Sequence, residues 1–312
     1  MKKTLTALAT IAILAAPHAM AEGKSYKVSA FDSIEVEGAM KVVFKTASET
    51  SVVVETPSGD YSDAKITSEG GTLTVSRESL NKKSGWFSWG GGSVSVSDDG
   101  KTVKVNGKKK PAYTVYVTGP DLKSAKAAQS SRFESSTINA GDFEAAVSSS
   151  SDMVLAGKSG ATELKASSSG DLKAKGLKAD TVDISASSSG DVEATVTGKG
   201  ENEIASSSSG DVTLNSLGSA TFIVDASSGA SVELSGACSS ITVSASSGSD
   251  VEGEKLLCAN AKANASSGAS VELYATTTAN GQASSGADIS FAGGPKTQDI
   301  SKSSGGSVIF SD

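Results

Sequence analysis

The 312-residue chain holds 28 lysines and arginines against 35 aspartates and glutamates, with one histidine and 5% aromatic residues. Its net charge of −7 argues against a nucleic-acid partner, because binding phosphates requires a basic surface. The single histidine, His18, lies in a leader-like N-terminal segment, so the rest of the chain lacks the commonest general base, proton shuttle and metal ligand.

That segment reads as an export signal. Lys2 and Lys3 form a charged start, Leu5 to Ala16 an apolar run, and Ala19-Met20-Ala21 the small-x-small pattern cut by signal peptidase. The apolar run is shorter than the roughly 20 residues needed to span a bilayer, and it ends in Pro17-His18. Cleavage before Glu22 removes two lysines and no acid, so the net charge moves to −9 and only Arg77 and Arg132 remain as arginines. No cysteine follows the apolar run to carry a lipid anchor, and no series of barrel-length strands is legible. The expected product is soluble and periplasmic or extracellular.

Short alternating stretches then predict strands at Phe31–Val36, Lys41–Phe44, Ser51–Val54, Thr72–Val75 and Tyr113–Val117, separated by Gly, Pro and Asp turns. Between them, Ser84 to Gly92 forms a loop carrying Trp86, Phe87 and Trp89. A hairpin is expected through Asp98-Asp99-Gly100, and Gly107 to Pro111 reads as a basic, solvated turn.

From about residue 145 one unit recurs. Asp152, Asp171, Asp191, Asp211, Ser231, Asp250, Ser270, Asp288 and Ser307 are spaced by 18 to 20 residues and anchor the copies. Every copy has serine three and four residues before the anchor and an apolar residue directly after it, from Met153 to Val308. Alternation also runs into the serines, as in Val182-x-Ile184-x-Ala186, and period two means strand rather than helix. Such a unit cannot bury its own apolar side, but stacking units with strands paired at about 4.8 Å makes a continuous core. The expected fold is an all-β parallel β-solenoid. Continued alternation would turn the second serine of each pair, such as Ser188, inward into a hydroxyl ladder. The following glycines would serve a corner needing positive φ or close backbone approach.

Cys238 and Cys258 each lie 12 residues before an anchor. They therefore share a column in successive coils, at the Cα spacing of about 5.5 Å that a disulfide wants. The chain closes on Ser307-Val308-Ile309-Phe310, an apolar strand predisposed to pair with another chain. This reading divides the sequence into a signal peptide (1–21), a strand-rich N-terminal part (22–120) with a hairpin insertion at about 80–111, and a Ser/Gly/Asp-repeat solenoid (121–312).

The opening Phe31-x-x-Ile34-x-Val36-x-Gly38, the segment Gly119-Pro120-Asp121-Leu122-Lys123-Ser124 and the repeats after it resemble the head GIN domain family of autotransporter-adhesin type. The resemblance covers nearly all of the chain after residue 21. It implies a right-handed, single-stranded β-helix and brings no catalytic motif with it.

Three groups are candidate sites. Asp152, Asp171, Asp191 and Asp211 would stack their carboxylates and repel by roughly 0.9 kcal/mol per pair even at water's dielectric. A hard cation would relieve this; alternatively each Asp caps a corner amide. Trp86, Phe87 and Trp89 would form either a sugar- or partner-binding tip or a cover for one end of the core. Ser79-x-x-Lys82 has the spacing of a Ser–Lys nucleophile but lies in a polar stretch. The leading function is non-enzymatic: an adhesive or structural envelope surface meeting a glycan or a surface protein, needing no cofactor. The alternative is a polysaccharide-acting β-helix enzyme, which requires carboxylates or cations converging on one face. A templating surface fits poorly, since serines interrupt the Asp column.

Overall fold

The computed structural model of the chain describes residues 23–80, 93–97 and 102–311. The expected signal segment, the Trp86, Phe87 and Trp89 loop, Lys82 and the Asp98–Gly100 turn lie outside the described residues. Every described element is a strand, and most belong to a parallel β-solenoid.

One coil shows the plan. Asp171–Ser187 begins with an outer strand, here called side A, bends, and continues as a second strand, side B, into a corner at Ser188–Gly190. The next coil repeats it in register: Asp171 pairs with Asp191 and Asp191 with Asp211, and Leu172 with Val192 and then Val212. Because stacking is parallel and in register, each sequence column becomes a straight row along the axis. The row following the anchor is buried in every coil, from Met153 to Val308. Opposite it, side B contributes Leu164, Ile184, Ile204, Val224 and Val243. Among the buried polar residues of side B, which include Thr162 and Ser206, Asn202 is the largest, and it is satisfied. Its amide accepts from Val182 N–H at 2.8 Å and donates to the Gly200 and Thr221 carbonyls, tying three coils together.

The corner differs from the sequence expectation. Ser188 and Ser189 are exposed and left-handed, with φ of 51° and 58°. The same pair of left-handed residues turns eleven corners, from Gly38-Ala39 to Ser304-Gly305. Two successive left-handed residues break the period-two alternation, so the second serine points outward and no inward hydroxyl ladder forms. The inward place passes to the residue just before the anchor, buried as Ser151, Ala230, Ser249, Ala269 or Ala287. In four coils it is glycine; a Cβ on Gly190 would lie 2.5 Å from the Ala166 carbonyl carbon of the coil beside it. The close-approach expectation therefore holds at Gly190, while positive φ is carried by the serines before it and by glycines such as Gly229 and Gly248. A backbone ladder holds the corners: Ser169 N–H donates to Ser188 C=O, Ser189 to Ser208 and Ser209 to Ser228, at 3.1 to 3.2 Å.

Coiling starts well before the serine repeats. Ser33–Glu37 and Met40–Thr46 form a coil around Gly38-Ala39 and stack in parallel on Ser124–Ala128 and Arg132–Ala140. Ahead of it, Thr72–Arg77 and Tyr113–Gly119 make one further parallel rung, and the antiparallel strands Ala64–Glu69 and Ser51–Glu55 close that end. The stretch between Arg77 and Tyr113 stands where a corner would be. Within it Val94–Val96, Val103–Val105 and Lys108–Lys110 form a three-stranded antiparallel sheet. The expected basic turn is thus a strand. The turn is Asn106-Gly107, left-handed at both residues, as a two-residue hairpin loop demands.

Cys238 and Cys258 pair in register and are joined as a disulfide with Cα atoms 4.6 Å apart.

Candidate functional site

Side B bears an extended concave surface. Over its carboxyl-terminal half a groove of about 660 Å³ crosses six coils. One wall is the serine row Ser207, Ser227, Ser246, Ser266, Ser284 and Ser303; beside it run Ala205, Asp225, Ser244, Asn264, Gln282 and Ser301. Inward residues explain the hollow. Beneath it side B carries Ala261, Ala263, Ala265, Ala279, Gly281 and Ala283. A Cβ on Gly281 would come within 3.0 Å of Phe291 and Val308, so small residues let this wall lie close to side A. Among the described residues, no hydroxyl of that serine row bonds to another protein group. The row therefore offers donors and acceptors at the coil spacing of about 4.8 Å.

The amino-terminal half of side B is charged. A second groove of about 620 Å³ is lined by Asp142, Glu144, Glu163, Asp183, Glu201 and Glu203, with Lys123 at one end. Lys126 pairs with Glu144 at 3.3 Å and Lys165 with Glu163. Hydrogen bonding to Glu163 raises the Lys165 pKa. Lys123 is bound to Asp32 at 2.7 Å, and that hydrogen bond raises the lysine and lowers the aspartate.

The Asp column lies on side A, in register. Arg132 compensates Asp152, reaching it at 3.4 Å and Glu134 at 2.6 Å. Asp191 has carboxylates on both sides; burial first, and then the charges of Asp171 and Asp211, push its pKa up. Among the described residues these side chains accept no backbone N–H, so the corner-cap reading fails: the corner amides bond to backbone carbonyls, Ser169 and Asp191 to those of neighbouring coils and Gly190 to Ser187 of its own corner. No cluster of three acidic, His or Cys residues with metal-holding geometry occurs among the described residues. The Ser79 hydroxyl donates to Asp63 at 3.0 Å.

Sequence reasoning missed two features. Glu233, Glu252 and Glu272 form a second acidic row on side A, legible two residues after each anchor. The other is Arg77, wholly buried with Asp63. Its guanidinium donates to the Gly38 carbonyl, to Ala39 C=O at 3.3 Å, to Pro111 C=O at 2.9 Å and to Asp63 at 3.1 Å, beside the Tyr113 ring. Gly38 C=O is where a preceding corner would donate, so Arg77 supplies the bond of the missing corner. Burial lowers the Arg77 pKa against the pull of Asp63, and pushes the Tyr113 phenol up to about 12.

A parallel β-solenoid, closed at one end and presenting long polar faces, is the class that this geometry defines. The chain belongs to the family described as "Putative auto-transporter adhesin, head GIN domain", which it matches over residues 30–205 and again over 196–295. Similar solved structures include a "putative adhesin" from Parabacteroides merdae ATCC 43184, 13% identical with a TM-score of 0.47, covering 93% of this chain and 95% of that one. A "Putative lipid binding protein" from Parabacteroides distasonis ATCC 8503 is 16% identical with a TM-score of 0.42, covering 93% and 96%. A "putative adhesin" from Bacteroides fragilis NCTC 9343 is 14% identical with a TM-score of 0.33, covering 93% and 96%. No curated protein matches the chain.

Proposed function

We propose that this protein is an exported, non-enzymatic adhesion module of the cell envelope, acting in the periplasm or outside the cell, and that the side B groove is its contact surface. The observation that carries the reading is the run of unbonded serine hydroxyls, with Asn264 and Gln282 beside them, across six coils. Such a row suits an extended, hydroxyl- or amide-rich partner lying along the axis, such as a linear glycan or a surface polypeptide, because each coil repeats the same contacts. Family membership supports a surface-binding role. The leader-like segment at Lys2 to Ala21 supports export.

The test is binding of the purified protein to glycans, envelope fragments and matrix proteins, beside Ser246→Arg/Ser266→Arg and Trp86→Ala/Trp89→Ala variants, with calcium or with chelator. Binding lost only in the serine variant supports the groove. Loss only in the tryptophan variant moves the site to that loop, and loss only in chelator moves it to the Asp column. A folded protein that binds nothing on the panel overturns the adhesive reading.

A further inference from the structure

The two ends of the solenoid are chemically unlike. At the amino end Arg77 satisfies the corner carbonyls, and antiparallel strands cover the rung. At the other end the last coil, Thr297–Lys302 and Ser307–Phe310, pairs only with the coil before it. Among the described residues no strand pairs with its outer edge, and the Gly305 N–H, next in the corner ladder, has no acceptor.

The core is open there. Ile300 is in register with inward Gly281 and Phe310 with buried Phe291. Ile300 is nevertheless 46% exposed, and Ile309, on the outer face, 56%. Phe310 stacks on Phe291 at 5.5 Å and is only partly buried. Of the exposed large apolar residues among those described, two thus fall on this one coil.

We propose that the open coil is the interface of a twofold dimer, in which two copies meet end to end and their last strands pair antiparallel. The amino end of another copy is a poorer match: its corner carbonyls and rung are already bonded, and the strand edge left unpaired there among the described residues, Ala64–Glu69, carries Lys65, Thr67, Ser68 and Glu69 where the open coil is apolar, so the open coil is better matched by its own copy in a closed isologous contact. The strand is self-complementary. Antiparallel pairing about Ile309 sets Ile309 against Ile309 of the partner subunit and Val308 against Phe310 of the partner subunit, aliphatic and aromatic cross-strand pairs that stabilise sheets. On the other strand, pairing about Ile300 sets Asp299 against Ser301 of the partner subunit and Gln298 against Lys302 of the partner subunit, so no like charges meet.

Sedimentation of the purified protein over a concentration series, with three variants, tests this. The wild type is expected to be a dimer. Ile300→Lys/Ile309→Lys, placing charges at exposed positions, is expected to weaken association at least tenfold with an unchanged unfolding midpoint. Leu257→Lys, an exposed leucine on the bend, is the control and leaves the dimer intact. Ile309→Cys is expected to give a cross-linked dimer on oxidation; among the described residues no other free cysteine competes. A wild type that is monomeric at every concentration, a dimer indifferent to the double lysine variant, or one broken by Leu257→Lys overturns the proposal.

Discussion

At the residue scale, the most demanding position is Arg77. A buried ion that loses its partner costs about 3–5 kcal/mol, and here the fork also donates to three carbonyls. Arg77→Lys keeps the charge but cannot span those acceptors, so it should lower the denaturant midpoint nearly as much as Arg77→Ala. A lysine variant as stable as the wild type would show that charge alone matters. Asp191 behaves in the opposite sense. Its pKa is raised in the folded state, so the folded protein binds the proton more tightly than the unfolded chain, and the ionised carboxylate costs stability above its folded pKa. That cost fades as pH falls through the carboxylate range. Asp191→Asn should therefore be more stable than the wild type at neutral pH, with the difference closing in acid; melting curves across pH check this.

At the element scale, the corner is the unit that repeats. Non-glycine residues in the left-handed region cost roughly 1–2 kcal/mol each, yet serine occupies both positions in four successive corners, including Ser188-Ser189 and Ser208-Ser209. Later coils carry glycine at the second position, as in Ser228-Gly229, so the coil tolerates either. Ser189→Gly should be neutral or stabilising and Ser189→Val destabilising, the two separated by about 1–2 kcal/mol in chemical unfolding. Equal midpoints would mean that the corner relaxes to accept a β-branched residue. The neighbouring Gly190 has a different reason, the backbone 2.5 Å from its absent Cβ.

Across the whole molecule, each coil touches mainly its neighbours, so stability is close to a sum of coil and interface terms. The Cys238–Cys258 bridge staples two adjacent coils with a sequence separation of 20, a loop for which chain entropy gives about 3 kcal/mol. It lies where the side B core thins to Ala261, Ala263 and Ala265. Reduction should speed hydrogen exchange of the coils around 238–283 while leaving those around 133–184 protected; uniform loss of protection would instead indicate one cooperative unit.

The repeating part of the fold is legible in the sequence period. When identical columns recur every 18 to 20 residues, parallel in-register stacking turns them into rows, so the buried row from Met153 to Val308, the aligned Asp column and the disulfide all follow from spacing alone. Tertiary structure decided the rest. Two left-handed residues reverse the parity that alternation assigns, sending Ser188 outward, and no period-two rule contains that turn. The first coil at Ser33–Thr46 was hidden because an insertion of more than seventy residues separates it from the next. The roles of Arg77 and the side B groove depend on groups distant in sequence: Gly38, Asp63 and Pro111 around one guanidinium, and Gly281 against Phe291 and Val308. Repetition encodes what each coil does to its neighbour, whereas ends and hollows arise only where coils of unequal content meet.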